Sequence, residues 1–175
     1  MEDHLVVCSR CDGTGKEKSS VCSKCKGSGK LDWVSNVVGK YLRTAIEIYP
    51  NCVSPDGSFN YPSGYQPILN EFGNILVQVD DDNYQGDSRI FYENNGQYGW
   101  LQFGWGSCTG CDRLQGCYSI LEIDELIQDL CMSIKWFDSK KDALEYFETH
   151  DWEGGYDHGK EWKEFMEKVI EFLKS

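Results

Sequence analysis

Residues 8–29 hold two copies of one eight-residue pattern, Cys8-Ser-Arg-Cys11-Asp-Gly13-Thr-Gly15 and Cys22-Ser-Lys-Cys25-Lys-Gly27-Ser-Gly29. Together they read C-x2-C-x10-C-x2-C. Four thiolates in two close pairs suit one tetrahedral Zn²⁺ in a closed structural site, so Cys8, Cys11, Cys22 and Cys25 are the expected ligands. The glycines belong to the same geometry. A knuckle that turns its backbone amides toward cysteine sulfur needs positive φ just after the second Cys, which glycine adopts at no steric cost.

The paired CxxCxGxG motif resembles the cysteine-rich zinc-binding repeats of the DnaJ family of co-chaperones. The resemblance covers residues 8–29 and implies a small zinc ribbon. That family carries four repeats holding two zinc ions, whereas two repeats suffice for one. Its partner-engaging His-Pro-Asp tripeptide has no counterpart, because His4, His150 and His158 are followed by Leu, Asp and Gly. The resemblance therefore implies the metal site and not the co-chaperone activity. Residues 70–152 also resemble a family of small uncharacterised bacteriophage and bacterial proteins. The match runs through Tyr84-Gln-Gly-Asp87, Gly104-Trp-Gly-Ser-Cys-Thr-Gly-Cys-Asp112 and Lys135-Trp-Phe-Asp-Ser139; it implies no known activity.

The chain has 175 residues, which fits one ordinary domain plus a metal module. The expected division is a ribbon over residues 1–30 and an acidic domain over 31–175. Hydrophobic content of 40% and aromatic content of 14% are too high for a disordered polyanion, despite a net charge of −12. No run of 18 apolar residues offers a membrane span. Nine cysteines without a secretory leader favour metal binding over disulfides, in a reducing cytoplasmic setting.

Charge is unevenly placed. Residues 1–30 hold six Lys/Arg and four acids, whereas residues 31–175 hold eleven basic and twenty-five acidic residues. Four thiolates on one Zn²⁺ add about −2 to the ribbon and bring it near neutral. The body carries the wrong sign for neutralising phosphates, so nucleic acid is disfavoured as a partner.

Periodicity outlines an α+β domain. Asp32 is placed to cap a helix over 33–48, ended by Pro50. Residues 51–70, rich in Pro, Gly, Ser and Asn, read as a loop. Strands are expected at Ile75–Asp80, Ser88–Tyr92 and Tyr98–Phe103, the last two joined by the turn Glu93-Asn-Asn-Gly96. Ser119-Ile-Leu-Glu122 fits a capping box before an apolar stripe of Ile123, Leu126, Ile127, Leu130 and Ile134. A short helix from Asp138 or Ser139 would bury Ala143, Leu144 and Phe147. A last one over 160–173 carries Trp162, Phe165, Met166, Val169, Ile170 and Leu173. The resulting fold is a zinc ribbon followed by a three-stranded antiparallel meander, with the helices on one face of the sheet.

Cys108, Cys111 and Cys117 form the second cysteine group, and three readings stay open. They are buried inert thiols, or ligands of a second zinc with Cys52 or His158 as the fourth, or a redox-active dithiol at Cys108 and Cys111. The acidic turn 79–87 puts Asp81, Asn83 and Gln85 at calcium-loop positions, but Tyr92 stands where the bidentate Glu is required, so it reads as a solvated turn. His150 and His158 bracket a polar loop with no accompanying nucleophile. Tyr61 and Tyr65, among prolines, could anchor a partner.

The favoured function is a zinc-binding, non-enzymatic protein-interaction or regulatory protein. A phage origin would make a host or defence protein its target. The alternative is an enzyme with a thiol- or zinc-dependent site around Cys108 and Cys111.

Overall fold

The computed structural model describes residues 5–7, 14–17, 20–22, 27–28, 30–32, 42–150, 152 and 159–175. The chain divides into two compact units, Met1–Leu42 and Arg43–Ser175. In the first, strand β1 (Leu5–Val7) pairs antiparallel with β4 (Lys30–Asp32), and β2 (Lys16–Glu17) pairs with β3 (Ser20–Val21) as a small hairpin. Gly15 and Gly27 hold φ of 73° and 90°. A Cβ on Gly15 would collide with the Gly27 carbonyl, so this contact between the two repeats requires glycine. Cys22 is buried, and its N–H donates to the Gly15 carbonyl at 2.9 Å. Cys8, Cys11 and Cys25 lie outside the described residues.

The second unit is mixed α+β. Its sheet has the order β5 (Asn74–Asp80), β6 (Gly86–Asn94), β7 (Gln97–Trp105), β8 (Lys135–Phe137), antiparallel throughout. The β6–β7 turn is a two-residue connection with Asn95 and Gly96 both at positive φ, 53° and 81°. That is the twist-matched I′ geometry favoured by Asn-Gly. The meander expected from the sequence is present, but a fourth strand extends it. Lys135–Phe137 is too short to carry a periodic signal, and its pairing with Tyr98–Trp100 is a tertiary event.

The five described helices are α1 (Ala45–Ile48), α2 (Gln66–Leu69), α3 (Ile120–Ser133), α4 (Lys140–Thr149) and α5 (Lys160–Lys174). Ser119 and Ser139 cap α3 and α4 by accepting from the N–H of Glu122 and Asp142. Of the expected helix over 33–48, Ala45–Ile48 is helical and residues 42–44 are not. Asp32 is a strand residue opposite Leu5, and the helix Ala45–Ile48 is capped by Thr44, whose N–H and hydroxyl both donate to Glu47. Asp124 of α3 adds a second cap, accepting from the Ala45 N–H at 2.6 Å. Residues 33–41 lie outside the described set. The expected loop 51–70 contains α2, started by Pro67 near its first turn.

Helices cover both sheet faces rather than one. On one face Val77, Val79, Phe91 and Phe137 meet Ala143 and Phe147 of α4 and Trp162, Phe165, Val169 and Leu173 of α5. On the other, Tyr92 packs edge-on against Phe72 at 6.3 Å and faces Cys131 of α3. Gly99 has no room for a Cβ, because the Trp136 ring and Ile134 lie across it. The physical reason is in β6, where every residue from Ser88 to Tyr92 is buried. A strand apolar on both faces needs two covering layers.

Two substitutions on neighbouring β6 residues test this arrangement. Phe91→Ala should cost about 3–5 kcal/mol of stability. Tyr92→Phe should be neutral or stabilising, because the buried Tyr92 hydroxyl has no hydrogen-bond partner. Urea unfolding of the two variants measures both.

Candidate functional site: the Cys108–Cys117 loop and the aromatic groove

The loop after β7 is organised by one buried side chain, Asp112. Its Oδ1 accepts from the N–H groups of Leu114 and Gln115 at 2.9 and 3.0 Å and from the Tyr65 hydroxyl at 3.0 Å. Its Oδ2 accepts from the Gly106 N–H at 3.3 Å. Gln115 closes the circuit, donating its side-chain amide to the Gly106 carbonyl at 2.9 Å. A buried carboxylate with donors at both oxygens fixes a loop far better than an unsatisfied one.

On this frame Cys108 and Cys111 sit side by side in an exposed turn, their sulfurs paired as a disulfide with Cα atoms 5.3 Å apart. The N–H groups of Cys111 and Asp112 both donate to the Cys108 carbonyl, at 3.0 and 2.8 Å. Gly106 is required here, since a Cβ would fall on the Cys111 sulfur at 2.6 Å. Cys117 is not part of this pair. It is buried, with its thiol donating to the Arg113 carbonyl at 3.2 Å. Among the described residues no three His, Cys, Asp or Glu side chains converge as a metal-holding group. The structure thus brings together two of the three cysteines, and His158 lies outside the described residues.

Cys52 and Cys117 belong to a different place. Both neighbour Tyr49, and Cys52 lines a groove of about 430 Å³ together with Tyr49, Pro50, Tyr61, Pro62 and Pro67. Tyr49 is tied down by its hydroxyl, which donates to the Gly64 carbonyl at 2.6 Å. At the rim, Tyr61 is 57% exposed and packs edge-on between Phe59 at 5.8 Å and Tyr118 at 6.1 Å; Tyr118 is itself 59% exposed. Of the two tyrosines singled out from the sequence, Tyr61 is the surface one. Tyr65 turns inward to Asp112 and packs on Phe103 at 4.7 Å.

The surroundings carry no loose positive charge. From Thr44 to Ile134 there are thirteen acids, two arginines and no lysine. Arg113 is paired with Asp129 at 2.6 Å, and Arg89 is buried between Asp81 at 2.5 Å and Asp87 at 3.4 Å. The Asp81 carboxylate also accepts from the Asp87 N–H, so the acidic turn is closed on itself and not arranged around a cation. His150 likewise stacks on Tyr146 and meets Trp152 edge-on, as part of an aromatic cluster. Sequence reasoning did not find Asp112, Tyr49 or Tyr118. Asp112 follows the CxxC directly, and its Asp-x-x-Gln spacing before Gln115 is the one local signal that could have pointed to it.

No family model, curated protein or solved structure matches the chain. No helix among the described residues is long and apolar enough to cross a membrane.

Asp112→Ala should lower stability by about 3 kcal/mol, because it strands buried N–H groups without an acceptor; thermal and urea denaturation check this. Burial pushes the Cys52 and Cys117 thiols up, and that of Cys131 to about 12; it also raises the Tyr92 phenol. A group with a raised folded-state value contributes stability below its unfolded value and loses it as pH rises toward the folded one. The urea midpoint should therefore hold to about pH 8.5 and fall steadily above it. A midpoint flat to pH 11 would contradict the assignment.

Proposed function

We propose that this chain is a zinc-stapled protein-interaction module, whose acidic α+β unit engages a basic protein partner through the groove beside Tyr61 and Tyr118. The observation that carries this reading is the coincidence of exposed aromatics with a surface cleared of free cations. Tyrosine supplies large amphipathic contact area at low entropic cost and is over-represented among residues that dominate binding energy. Leu121, 67% exposed at the start of α3, adds apolar area on the same element as Glu122, Glu125 and Asp129. A partner carrying Lys or Arg around an apolar anchor would find complementary charge at the rim and a pocket at the centre. Such complementarity governs association rate and partner choice.

Zinc belongs to the first unit of this proposal. The residues that are described fit a DnaJ-type ribbon. Gly27 has the positive φ the knuckle needs, Gly15 packs on its carbonyl, Cys22 is buried, and the β1–β4 pairing closes the segment on either side of the two repeats. Cys8, Cys11, Cys22 and Cys25 would hold one Zn²⁺, which would supply the cross-link that stabilises a segment too small for a large core.

Two measurements test the two halves. Elemental analysis of protein purified without chelator should find one zinc per chain, falling by about one in Cys8→Ser or Cys22→Ser; a zinc-free wild type would remove the ribbon from the proposal. Affinity capture should return a basic protein whose binding weakens as salt rises. The double substitution Tyr61→Ala/Tyr118→Ala should reduce that binding about tenfold or more while leaving the thermal midpoint near that of the wild type. Capture that is insensitive to both salt and the double substitution would rule the groove out.

A further inference from the structure

We propose that Cys108 and Cys111 are a reversible thiol–disulfide site, a surface dithiol that exchanges electrons with disulfide-bearing molecules. Their Cα separation of 5.3 Å lies within the span a disulfide bridges, and both residues are exposed. The backbone that sets this separation is held by bonds that do not involve a sulfur–sulfur link. Cys111 and Asp112 donate to the Cys108 carbonyl, and Asp112 and Gln115 fasten Gly106 on the other side. The dithiol and the disulfide can therefore occupy the same loop without refolding it.

Access and selectivity follow from the neighbours. Nothing lies within 4 Å of where a Cβ on Gly110 would stand, so the outer side of the turn is open to an incoming sulfur. Gly106 leaves the space that the Cys111 sulfur fills. Cys52, Cys117 and Cys131 are all buried, and burial holds each of their thiols protonated well above neutral pH. Exchange needs a thiolate with access, so an oxidant in solution would react at the loop and leave those three alone.

The Cys111 sulfur lies between a donor and an acceptor of Cys108: the Cys108 N–H donates to it at 3.1 Å, and as a thiol it donates to the Cys108 carbonyl at 3.3 Å. The two contacts act on its thiolate in opposite directions, so either cysteine can serve as the attacking residue. One thiolate of the pair displaces one sulfur of the incoming disulfide, giving a mixed disulfide and releasing one thiolate. The other then attacks the sulfur of the first, closes the Cys108–Cys111 bond and releases the second thiolate. Two electrons pass to the incoming disulfide, which leaves as two thiols carrying the two protons given up by the cysteines. This site stands apart from the groove proposed for partner binding, and either can fail alone.

Oxidised glutathione serves as the probe, with the full-length, metal-loaded protein. After reduction and exposure to the probe, remaining thiols are capped with iodoacetamide and mapped by mass spectrometry. In the wild type, Cys108 and Cys111 should leave the thiol pool together as one intramolecular disulfide. Cys52, Cys117 and Cys131 should become cappable only on denaturation. In Cys108→Ser glutathione should accumulate on Cys111, and in Cys111→Ser on Cys108, because closure of the pair is blocked in both. Three results would overturn the proposal: oxidation of the pair no faster than of the three buried thiols, glutathione on both cysteines without closure, or a second zinc per chain lost in Cys108→Ser. The wild-type map stands without the variants, so a variant that fails to fold leaves the test intact.

Discussion

Strand β6 has no solvent face, and the organisation of the second unit depends on that. Phe91 and Tyr92 are adjacent in sequence and fully buried on opposite sides of the sheet. Each side must be roofed by apolar surface, and the chain supplies two roofs of different origin. The first is the α4–α5 pair, whose aromatics meet Phe91: Phe147 lies 5.6 Å away edge-on and Phe172 at 6.3 Å. The second is made of Phe72, α3 and the segment leading into β8. Arg89, buried on the same strand, is accommodated because Asp81 and Asp87 neutralise it and the Trp162 ring lies 5.8 Å from its guanidinium carbon. A buried charge without such partners would carry a severe desolvation cost.

This sandwich leaves one end of β7 free to project the Gly106–Cys117 loop, and Asp112 converts that projection into a fixed shape. The same carboxylate reaches Tyr65, so the cysteine turn is tied to the segment that also carries the groove. The cysteine turn and the groove segment are thus joined through one hydrogen-bonded carboxylate. The cysteines divide along the same line. Those inside are shielded apolar fillers, and those on the turn are paired and reachable. One residue type therefore serves packing at Cys52, Cys117 and Cys131 and stands paired at the surface at Cys108 and Cys111, where the proposed exchange would occur.

Elements whose signal is local were legible in the sequence. The Ser119 and Ser139 caps, the Asn-Gly hairpin and the stripe from Ile123 to Ile134 each rest on contacts within a few residues, and each is where its pattern places it. Of the helix expected over 33–48, residues 42–44 are not helical and Ala45–Ile48 is, its first N–H held by Asp124 seventy-nine positions away. Asp32, a plausible cap in isolation, pairs with Leu5 twenty-seven positions away. Strand β8 and the two-sided covering of the sheet were missed for a related reason, since three residues cannot display a period and periodicity does not say which face a helix will choose. In the site, Cys108 and Cys111 were legible as a pair. Asp112 and Tyr118 were not, because their importance comes from Gly106, Tyr65 and Tyr61 across the fold.

By itself the sequence determined the class of the fold, the serine caps of α3 and α4, the hairpin, the sign of the net charge and the two cysteine groups, all of which depend on residue chemistry and short-range spacing. Only the tertiary structure decided that the sheet has four strands with helices on both faces, that Cys117 is separated from Cys108 and Cys111, and that Tyr61 faces outward while Tyr65 turns in. Those outcomes depend on which surfaces meet after collapse. Buried area and satisfied hydrogen bonds are settled there between residues tens of positions apart, and no local pattern records them.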